Sequence, residues 1–278
     1  MKIRLFAVAA ALWLGCEGAS AAITCSTITS PGFTLYYDSN GSTLVQSSFT
    51  VTCNRASPTD FASLTYSVEA DNGIHTGSSG QNQAQLAGNN VNYEAYKNSS
   101  CSAGSVWDNS GFTDTITWAA GATGTLSKTT SFWACAPNGQ TGKPAGTYTD
   151  TIGMRFRGGA SGDFFGSFAV AIVTPAICTV TVPANLNFNY TAFGPLVNSS
   201  TTFAVNCNSG MPYSMAVSPT TGTVIGLDYV LSFTTPNQTG SGAAQTQTIN
   251  GTMAAGQAGL CAGSSCSGSQ PHTVTITY

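Results

Sequence analysis

Cysteine is the residue type whose spacing carries the most chemistry in this chain. Cys16 lies in the N-terminal stretch of residues 1–21, and further cysteines follow as Cys25, Cys53, Cys101, Cys135, Cys178, Cys207, Cys261 and Cys266. An even number of cysteines after that stretch is typical of a disulfide framework in an exported protein. The interval from Cys25 to Cys53 is almost the same as that from Cys178 to Cys207, which suggests two equivalent disulfides. We further expect the pairs Cys101–Cys135 and Cys261–Cys266, although the cysteine count alone leaves the connectivity open.

Metal and catalytic chemistry find little support in the sequence. There is no CxxC pair, and the only histidines, His75 and His272, lie near no cysteine cluster, so a zinc site is not expected. The motifs GxSxG and HExxH and a phosphate-binding loop are missing. Asp108 and Asp114 form the best carboxylate pair for glycoside hydrolysis, but solvation of a loop is the favoured interpretation. We therefore expect neither an enzyme nor a cofactor.

The first residues read as an export signal. Lys2 and Arg4 precede an apolar run, and small residues follow it, so we expect a signal peptide over residues 1–21 that is cut after Ala21 or Ala22. A lipid anchor on Cys16 is the alternative, but Trp13 is a poor residue for a lipid-attachment box. With a net charge of −3 and only 7% charged residues, the chain is not expected to bind nucleic acid.

The remainder of the chain is patterned as strands and repeats itself. Short alternating segments are separated by Gly, Pro, Asn and Ser clusters, and no window has helical periodicity. "SSFTVTCNR" and "LTYSVEA" in the first half correspond to "TTFAVNCNSG" and "PYSMAVSP" in the second. We predict an all-β protein with two immunoglobulin-like β-sandwich domains, residues 22–174 and 175–278.

The two copies differ after their last similar strand. In the first copy, "GTYTDTIGMRF" leads into "FFGSFAVAIV", a closing strand that places Phe168, Val170 and Ile172 on one face. In the second copy, Val274, Ile276 and Tyr278 of "HTVTITY" match Ile152, Met154 and Phe156, and no further segment follows. The second domain is therefore expected to lack its last strand and to expose a groove beside an unpaired edge. A smaller, closed sandwich is the alternative.

These segments together resemble the Spore Coat Protein U domain, the pilin-like domain of archaic (Csu-type) chaperone-usher pili. The resemblance rests on the order of "CTVTVPANLNFNYTAF", "TTFAVNCNSGMPYSMAVS", "LDYVLSF" and "PHTVTITY", and extends less strongly to the first domain. It implies donor-strand complementation, in which the N-terminal extension of an adjacent pilin subunit fills the groove. It also implies a periplasmic chaperone and an outer-membrane usher as partners.

The resemblance further implies a position in the fibre and a role at the cell surface. Only residues 22–24 would precede Cys25 after cleavage, whereas a donor strand needs about ten residues. The chain would therefore accept a strand without donating one, as a tip adhesin does. It would be exported through the periplasm to the pilus tip and mediate attachment to abiotic or host surfaces and biofilm formation. A secreted structural coat or matrix protein of the same family is the alternative function.

Adhesins of this type attach through hydrophobic loops. The candidate loop residues are aromatic side chains beside turn residues. They are Phe61, Trp107, Phe112, Phe164 and Phe165. For each of them, packing in the core is the competing role.

Overall fold

The computed structural model describes residues 23–37, 43–78, 80–159 and 162–278. The expected signal peptide and Cys16 lie outside the described residues. No helix in the described ranges is both long enough and apolar enough to cross a bilayer.

The prediction of an all-β protein is confirmed, whereas the immunoglobulin-like topology stays a prediction. The residues before 175 form β1 (Thr24–Thr29), β2 (Phe33–Tyr36), β3 (Thr43–Arg55), β4 (Ser63–Ala70), β5 (Asn82–Leu86), β6 (Asn89–Tyr96), β7 (Phe112–Thr117), β8 (Gly124–Ala136), β9 (Gly146–Arg157) and β10 (Phe164–Thr174). Within the described ranges, one 3-10 turn spans Ala103–Ser105. The later residues form β11 (Cys178–Val180), β12 (Val197–Cys207), β13 (Pro212–Ser218), β14 (Thr221–Val224), β15 (Leu227–Phe233), β16 (Asn237–Thr239), β17 (Gln245–Met253) and β18 (Thr273–Thr277).

Alternation of apolar and hydroxyl side chains explains why these segments are strands. In β3, Phe49 and Val51 are fully buried, while Thr50 and Thr52 face outward. Thr50 Oγ1 lies 2.8 Å from Thr129 Oγ1 on the neighbouring β8. β-Branched residues suit this half-buried pleated surface, so a chain with few charges can still cover its sheets with polar atoms.

Residues 23–174, here called the first domain, enclose one large core. The strands follow the order β1-β3-β8-β6-β5-β9-β10-β2, and β4 pairs with both β7 and β9. Trp107 lies at the centre of an aromatic cluster, with ring centroids 5.1 Å from Phe49, 4.9 Å from Phe132 and 6.0 Å from Phe168. Phe168 belongs to β10, so the last strand of this domain contributes directly to its core.

Residues 175–278, here called the second domain, have a separate and smaller core. One sheet has the order β11-β12-β17-β15-β14, and the other has the order β16-β13-β18. The core of this domain centres on Phe203, Val205, Tyr213 and Leu231. The division into two domains at residue 175 stays a prediction, but the two cores share no residue.

The disulfides occupy equivalent places in the two domains. Cys25 lies directly opposite Cys53 in the β1–β3 ladder, and Cys178 lies directly opposite Cys207 in the β11–β12 ladder. Cys101 is bonded to Cys135, and Cys261 to Cys266. The equivalence of the first two bridges supports an internal duplication.

Candidate functional site

In the first domain, β9 is paired along both of its edges. β4 pairs with one edge and β10 with the other, antiparallel from Phe164 opposite Phe156 to Thr174 opposite Gly146. β10 then pairs in parallel with β2. The inward residues of β10 are buried, with exposed fractions of 3% for Phe168, 1% for Val170 and 0% for Ile172. β10 therefore closes the sandwich.

In the second domain, β18 is paired along one edge only. Its partner is β13, and no other strand of the described ranges pairs with it. Val274 and Ile276 are half-buried and Tyr278 is 59% exposed. No strand of the described ranges takes the place in the second domain that β10 has in the first, so one edge of β18 keeps a row of unpaired backbone groups. The space beside this edge is called the groove below.

The cross-strand partners correct the sequence-based alignment of β9 with β18. Val68 lies opposite Phe156, and Met215 lies opposite Ile276. If the Tyr-Ser pairs of β4 and β13 are equivalent, Ile276 corresponds to Phe156, not to Met154 as the sequence comparison had it. The two alignments differ by two residues. Because side chains on a strand alternate with a period of two, Ile276 faces the interior in both alignments.

The opposite wall of the groove begins at β11. Val180 lies opposite Val205, which is fully buried, so Val180 also faces inward, yet it is 44% exposed. Val182, two residues further on, is 92% exposed. In the first domain, Ile28 of β1 is only 6% exposed, and its carbonyl oxygen would lie 2.7 Å from a Cβ placed on Gly166 of β10. These side chains differ in exposure because a closing strand covers only the first domain.

Three further apolar side chains line this wall. Leu186, Phe188 and Tyr190 follow Cys178 at the same intervals as Phe33, Leu35 and Tyr37 follow Cys25. The first three are half-buried, whereas the second three are buried. Residues 33–36 form β2 and pair with β10, but residues 186–190 are not in a strand. Within the described ranges, residues 186–190 therefore lack the strand partner that β2 has in β10.

A hydrogen-bonded cluster holds the start of β18 in place. His272 Nδ1 lies 2.7 Å from the Pro219 carbonyl oxygen and His272 Nε2 lies 2.6 Å from the Tyr229 hydroxyl. Because a carbonyl only accepts, His272 Nδ1 donates its hydrogen to Pro219. The Tyr229 hydroxyl lies between His272 Nε2 and Gln270 Oε1, which is 3.2 Å away. Burial raises the pKa of Tyr229, which keeps this hydroxyl protonated. No role for His272 was evident from the sequence, because its two partners are distant along the chain.

A family model of the Spore Coat Protein U domain matches residues 3–155. The chain belongs to this family. The match falls on the first domain, where the sequence resemblance had been weaker. No curated protein matches the chain.

The solved structures that are similar to this Spore Coat Protein U domain protein include the following two. One is a chain of the chaperone–tip adhesion subunit pre-assembly complex from archaic chaperone-usher Csu pili of Acinetobacter baumannii, with 13% identity, a TM-score of 0.44, and 90% of this chain and 99% of that chain covered. The other is the CupB6 tip adhesin of Pseudomonas aeruginosa, with 10% identity, a TM-score of 0.43, and 92% and 95% covered.

The candidate adhesive aromatics of the Spore Coat Protein U domain protein separate into buried and exposed side chains. The prediction that Trp107 is an exposed loop residue is wrong. Its side chain is 2% exposed, and its Nε1 donates a 2.8 Å hydrogen bond to the Val68 carbonyl oxygen. Phe112 packs 5.1 Å from Trp107, and Phe164 stacks 4.4 Å from Phe156, so both are half-buried. A Phe or Trp beside a turn can be the last inward residue of a strand, and the sequence does not distinguish the two cases. Phe61 is 84% exposed and Phe165 is 73% exposed.

Phe61 lies at the pole of the first domain that is far from the second domain. β8 runs between the two poles: its Ala136 end leads to Lys143, whose carbonyl oxygen accepts a 3.2 Å hydrogen bond from Asn208 of the second domain. Its Gly124 end lies beside Arg55 at the end of β3. Arg55 Nη2 donates to the Asp60 carbonyl oxygen at 2.7 Å. This hydrogen bond links the loop that carries Phe61 to the end of β3.

The two charged groups of that loop are buried and leave its surface uncharged. Arg55 is 3% exposed and Asp60 is 6% exposed. The Asp60 carboxylate accepts the backbone N–H of Ser57 at 2.9 Å. The exposed residues of this loop and of its neighbour are small or apolar. They are Ala56, Pro58, Thr59, Phe61, Ala62, Ala119, Ala120 and Gly121.

The residues considered for catalysis hold loops and strands. Asp114 Oδ2 accepts from Thr130 at 3.0 Å, and Asp114 Oδ1 lies 3.6 Å from Lys128 Nζ. Hydrogen bonds from Ser110 lower the pKa of Asp108. His75 Nδ1 lies 3.3 Å from the buried carboxylate of Asp150, to which Tyr93 donates at 2.7 Å. Among the described residues, no group of His, Cys, Asp and Glu is arranged to hold a metal ion.

Proposed function

We propose that this protein is the tip adhesin of an archaic chaperone-usher pilus. In this proposal an adjacent pilin subunit inserts a β-strand into the groove of the second domain, and the first domain attaches to abiotic or host surfaces and promotes biofilm formation. The observation that carries the proposal is the exposure of inward-facing residues in the second domain. Val180 is 44% exposed while Val205, opposite it, is fully buried.

The first domain contains a template for the missing strand. β10 runs antiparallel to β9 and fills its groove with Phe168, Val170 and Ile172. A donor for the second domain therefore needs apolar side chains at every second position over about five residues or more, the length of the β18 edge. Backbone hydrogen bonds to β18 would supply affinity, and the alternating side chains would supply register.

An unfilled groove also explains the need for a chaperone. Val182, at 92% exposure, and Tyr278, at 59%, would lie on a contiguous apolar surface before assembly. Such surfaces, next to an unpaired strand edge, promote aggregation. A periplasmic chaperone would cover the groove, and the usher would exchange it for the donor strand of the next subunit.

The pole that carries Phe61 is the surface best suited to attachment. It faces away from the second domain, and its charged groups are buried, so contact with an apolar surface requires no desolvation of ions. Each apolar side chain would contribute about 25 cal/mol per Å² removed from water. Phe165 lies on a sheet face, not at this pole, so Phe61 is the main candidate.

The strand-acceptor role can be tested with a synthetic peptide copied from the N-terminus of the neighbouring pilin. At 100 times its dissociation constant, the peptide should stabilise the second domain by about 2.7 kcal/mol, which raises Tm by roughly 10 °C. An Ile276→Asp variant should not respond, because a charge in the groove opposes burial of the donor. Absence of any Tm shift with the natural chain would contradict the proposal.

The adhesive role needs a separate measurement. Phe61→Ser should leave the response to the donor peptide unchanged and reduce attachment of piliated cells to polystyrene. Leu44→Ser, which changes a 48% exposed apolar residue opposite Cys135 at the other end of the β3–β8 ladder, is the matched control. Spontaneous assembly of the purified chain into long polymers would instead favour a coat or matrix protein.

A further inference from the structure

The outer face of the first domain contains a hollow across three strands. Glu69 of β4 lies opposite Arg155 of β9, and Arg155 lies opposite Phe165 of β10. Two residues before Arg155, Gly153 has no side chain to fill the same face. The gap has a volume of ≈ 290 Å³, and Asp71, Asn109, Gly153, Arg155 and Phe165 are among its lining residues.

Phe165 is a conspicuous side chain on this face. It is 73% exposed, and the outward residues that follow it on β10 are small: Ser167, Ala169 and Ala171. The Arg155 guanidinium carbon lies 5.9 Å from the centre of the Phe165 ring. This contact orients the ring and leaves most of its surface in water, so an apolar plane forms one wall of the hollow.

The polar groups around the ring are held in place but have hydrogen-bonding capacity left. Asp71 Oδ1 accepts the backbone N–H groups of Gly73 at 2.9 Å and Gly153 at 2.8 Å. Asp71 Oδ2 has no hydrogen-bond partner within the described ranges. Arg155 Nε donates to Asp163 Oδ2 at 3.0 Å, and its Nη2 also bonds to this oxygen.

Two hydrogen-bond donors also line the hollow. Neither Arg155 Nη1 nor the side-chain amide of Asn109 has a partner among the residues that the structure describes. A fixed acceptor, Asp71 Oδ2, therefore lies in the same hollow as two free donors and an exposed ring. This is the usual composition of a small-ligand site, in which a few oriented polar groups accompany an apolar wall.

We propose that this hollow binds a single neutral hexose unit of a surface polysaccharide or glycan. A pyranose offers an apolar face of C–H groups that can lie on Phe165, and adjacent hydroxyls that both donate and accept hydrogen bonds. The hydroxyls would donate to Asp71 and accept from Arg155 and Asn109. A volume of ≈ 290 Å³ is large enough for one such ring.

The charges around the hollow select against acidic sugars. Arg155 is paired with Asp163, and Arg157 Nε lies 2.6 Å from Glu69 Oε1, so these four charges cancel. Asp71 remains as an unpaired carboxylate. A uronic acid would place a second negative charge beside it, which costs affinity. The ligand class is therefore a neutral hexose.

The proposal is tested by titrating the full chain with D-glucose, D-galactose, D-mannose, N-acetyl-D-glucosamine and D-glucuronic acid while recording amide NMR spectra. At least one neutral sugar should bind with a dissociation constant on the order of 1 mM, as expected for an open site with few contacts. The shifts should centre on residues 153 and 165–167, and glucuronic acid should bind more weakly.

Substitutions then separate a binding role from a structural one. Phe165→Ala should weaken binding about tenfold. Asp71→Asn keeps an acceptor for Gly73 and Gly153 but can turn its Oδ2 position into a donor, and should also weaken binding about tenfold. Tyr36→Ala, which changes an aromatic side chain that is 69% exposed on β2, should leave sugar binding unchanged. The proposal is overturned if no neutral sugar shifts these amides at about 50 mM, fifty times the expected dissociation constant, or if binding survives both substitutions. It does not depend on the second domain accepting a strand.

Discussion

Val180 and Val205 lie opposite each other on the inner face of the second domain, but only Val205 is buried. In a closed sandwich both side chains of such a pair are covered. Ile28, on the corresponding strand of the first domain, is covered by β10. Because of this difference, a substitution at Val180 is expected to report on strand binding in the groove.

We expect Val180→Ser to separate strand binding from folding. Because Val180 is already 44% exposed, its substitution should lower the free energy of unfolding by less than about 1 kcal/mol. A bound donor strand would bury it fully, so the affinity for the donor peptide should fall about tenfold. Val230→Ser is the matched control, since Val230 is 52% exposed on a strand outside the groove and should affect neither quantity. Equal peptide binding by both variants would place the donor elsewhere.

Disulfide removal should destabilise the second domain according to loop length. Cys178 and Cys207 are 29 residues apart, whereas Cys261 and Cys266 are 5 apart. By the chain-entropy estimate, a double serine variant of the first pair loses roughly 3.5 kcal/mol and of the second roughly 2 kcal/mol. Denaturation in urea of the two variants tests this order. The reverse order would mean that the short loop contributes native contacts.

His272 is expected to position the start of the acceptor strand. His272→Phe removes its bonds to Pro219 and Tyr229, at about 1 kcal/mol each. Tyr229→Phe keeps the bond from His272 to Pro219 but removes the contacts of its hydroxyl with His272 and Gln270. Hydrogen exchange of the β18 amides should accelerate in both variants. His75→Phe, in the first domain, should leave β18 exchange unchanged. Unaltered exchange in His272→Phe would show that β13 alone holds the strand.

Buried tyrosines should make the first domain labile in alkali. Burial raises the pKa of Tyr66 to about 12, and this ring stacks 5.4 Å from Phe156. Because the folded state holds its proton more tightly than the unfolded state, Tyr66 contributes stability that is present below pH 10, the unfolded value, and is lost as pH rises to about 12. Tyr66→Phe should reduce the loss of stability over this range. Tyr36→Phe, at 69% exposure, should not. The measurement is the urea midpoint as a function of pH.

Local pattern was sufficient for the strands and for much of the pairing. Alternation around Phe49 and Val51, and hydroxyl residues between them, predicts β3 because a side-chain period of two is a property of the backbone. The similar cysteine intervals indicated duplicated strands. In two copies of the same fold, the two cysteines that lie opposite each other in a ladder are separated by a similar number of residues. These features depend on neighbours in sequence.

Whether a side chain is buried depends on residues that are distant in sequence, so only the tertiary structure shows which of the aromatic side chains are exposed. Trp107 and Phe61 both lie beside turn residues, but Trp107 packs among Phe49, Phe132 and Phe168, and Phe61 contacts little. The hollow over Gly153 was not predicted either, because it forms where three strands meet. The amino-acid sequence determined which residues face inward; the meeting of separate strands determined which of them are covered, since covering a side chain requires surface from elsewhere in the chain.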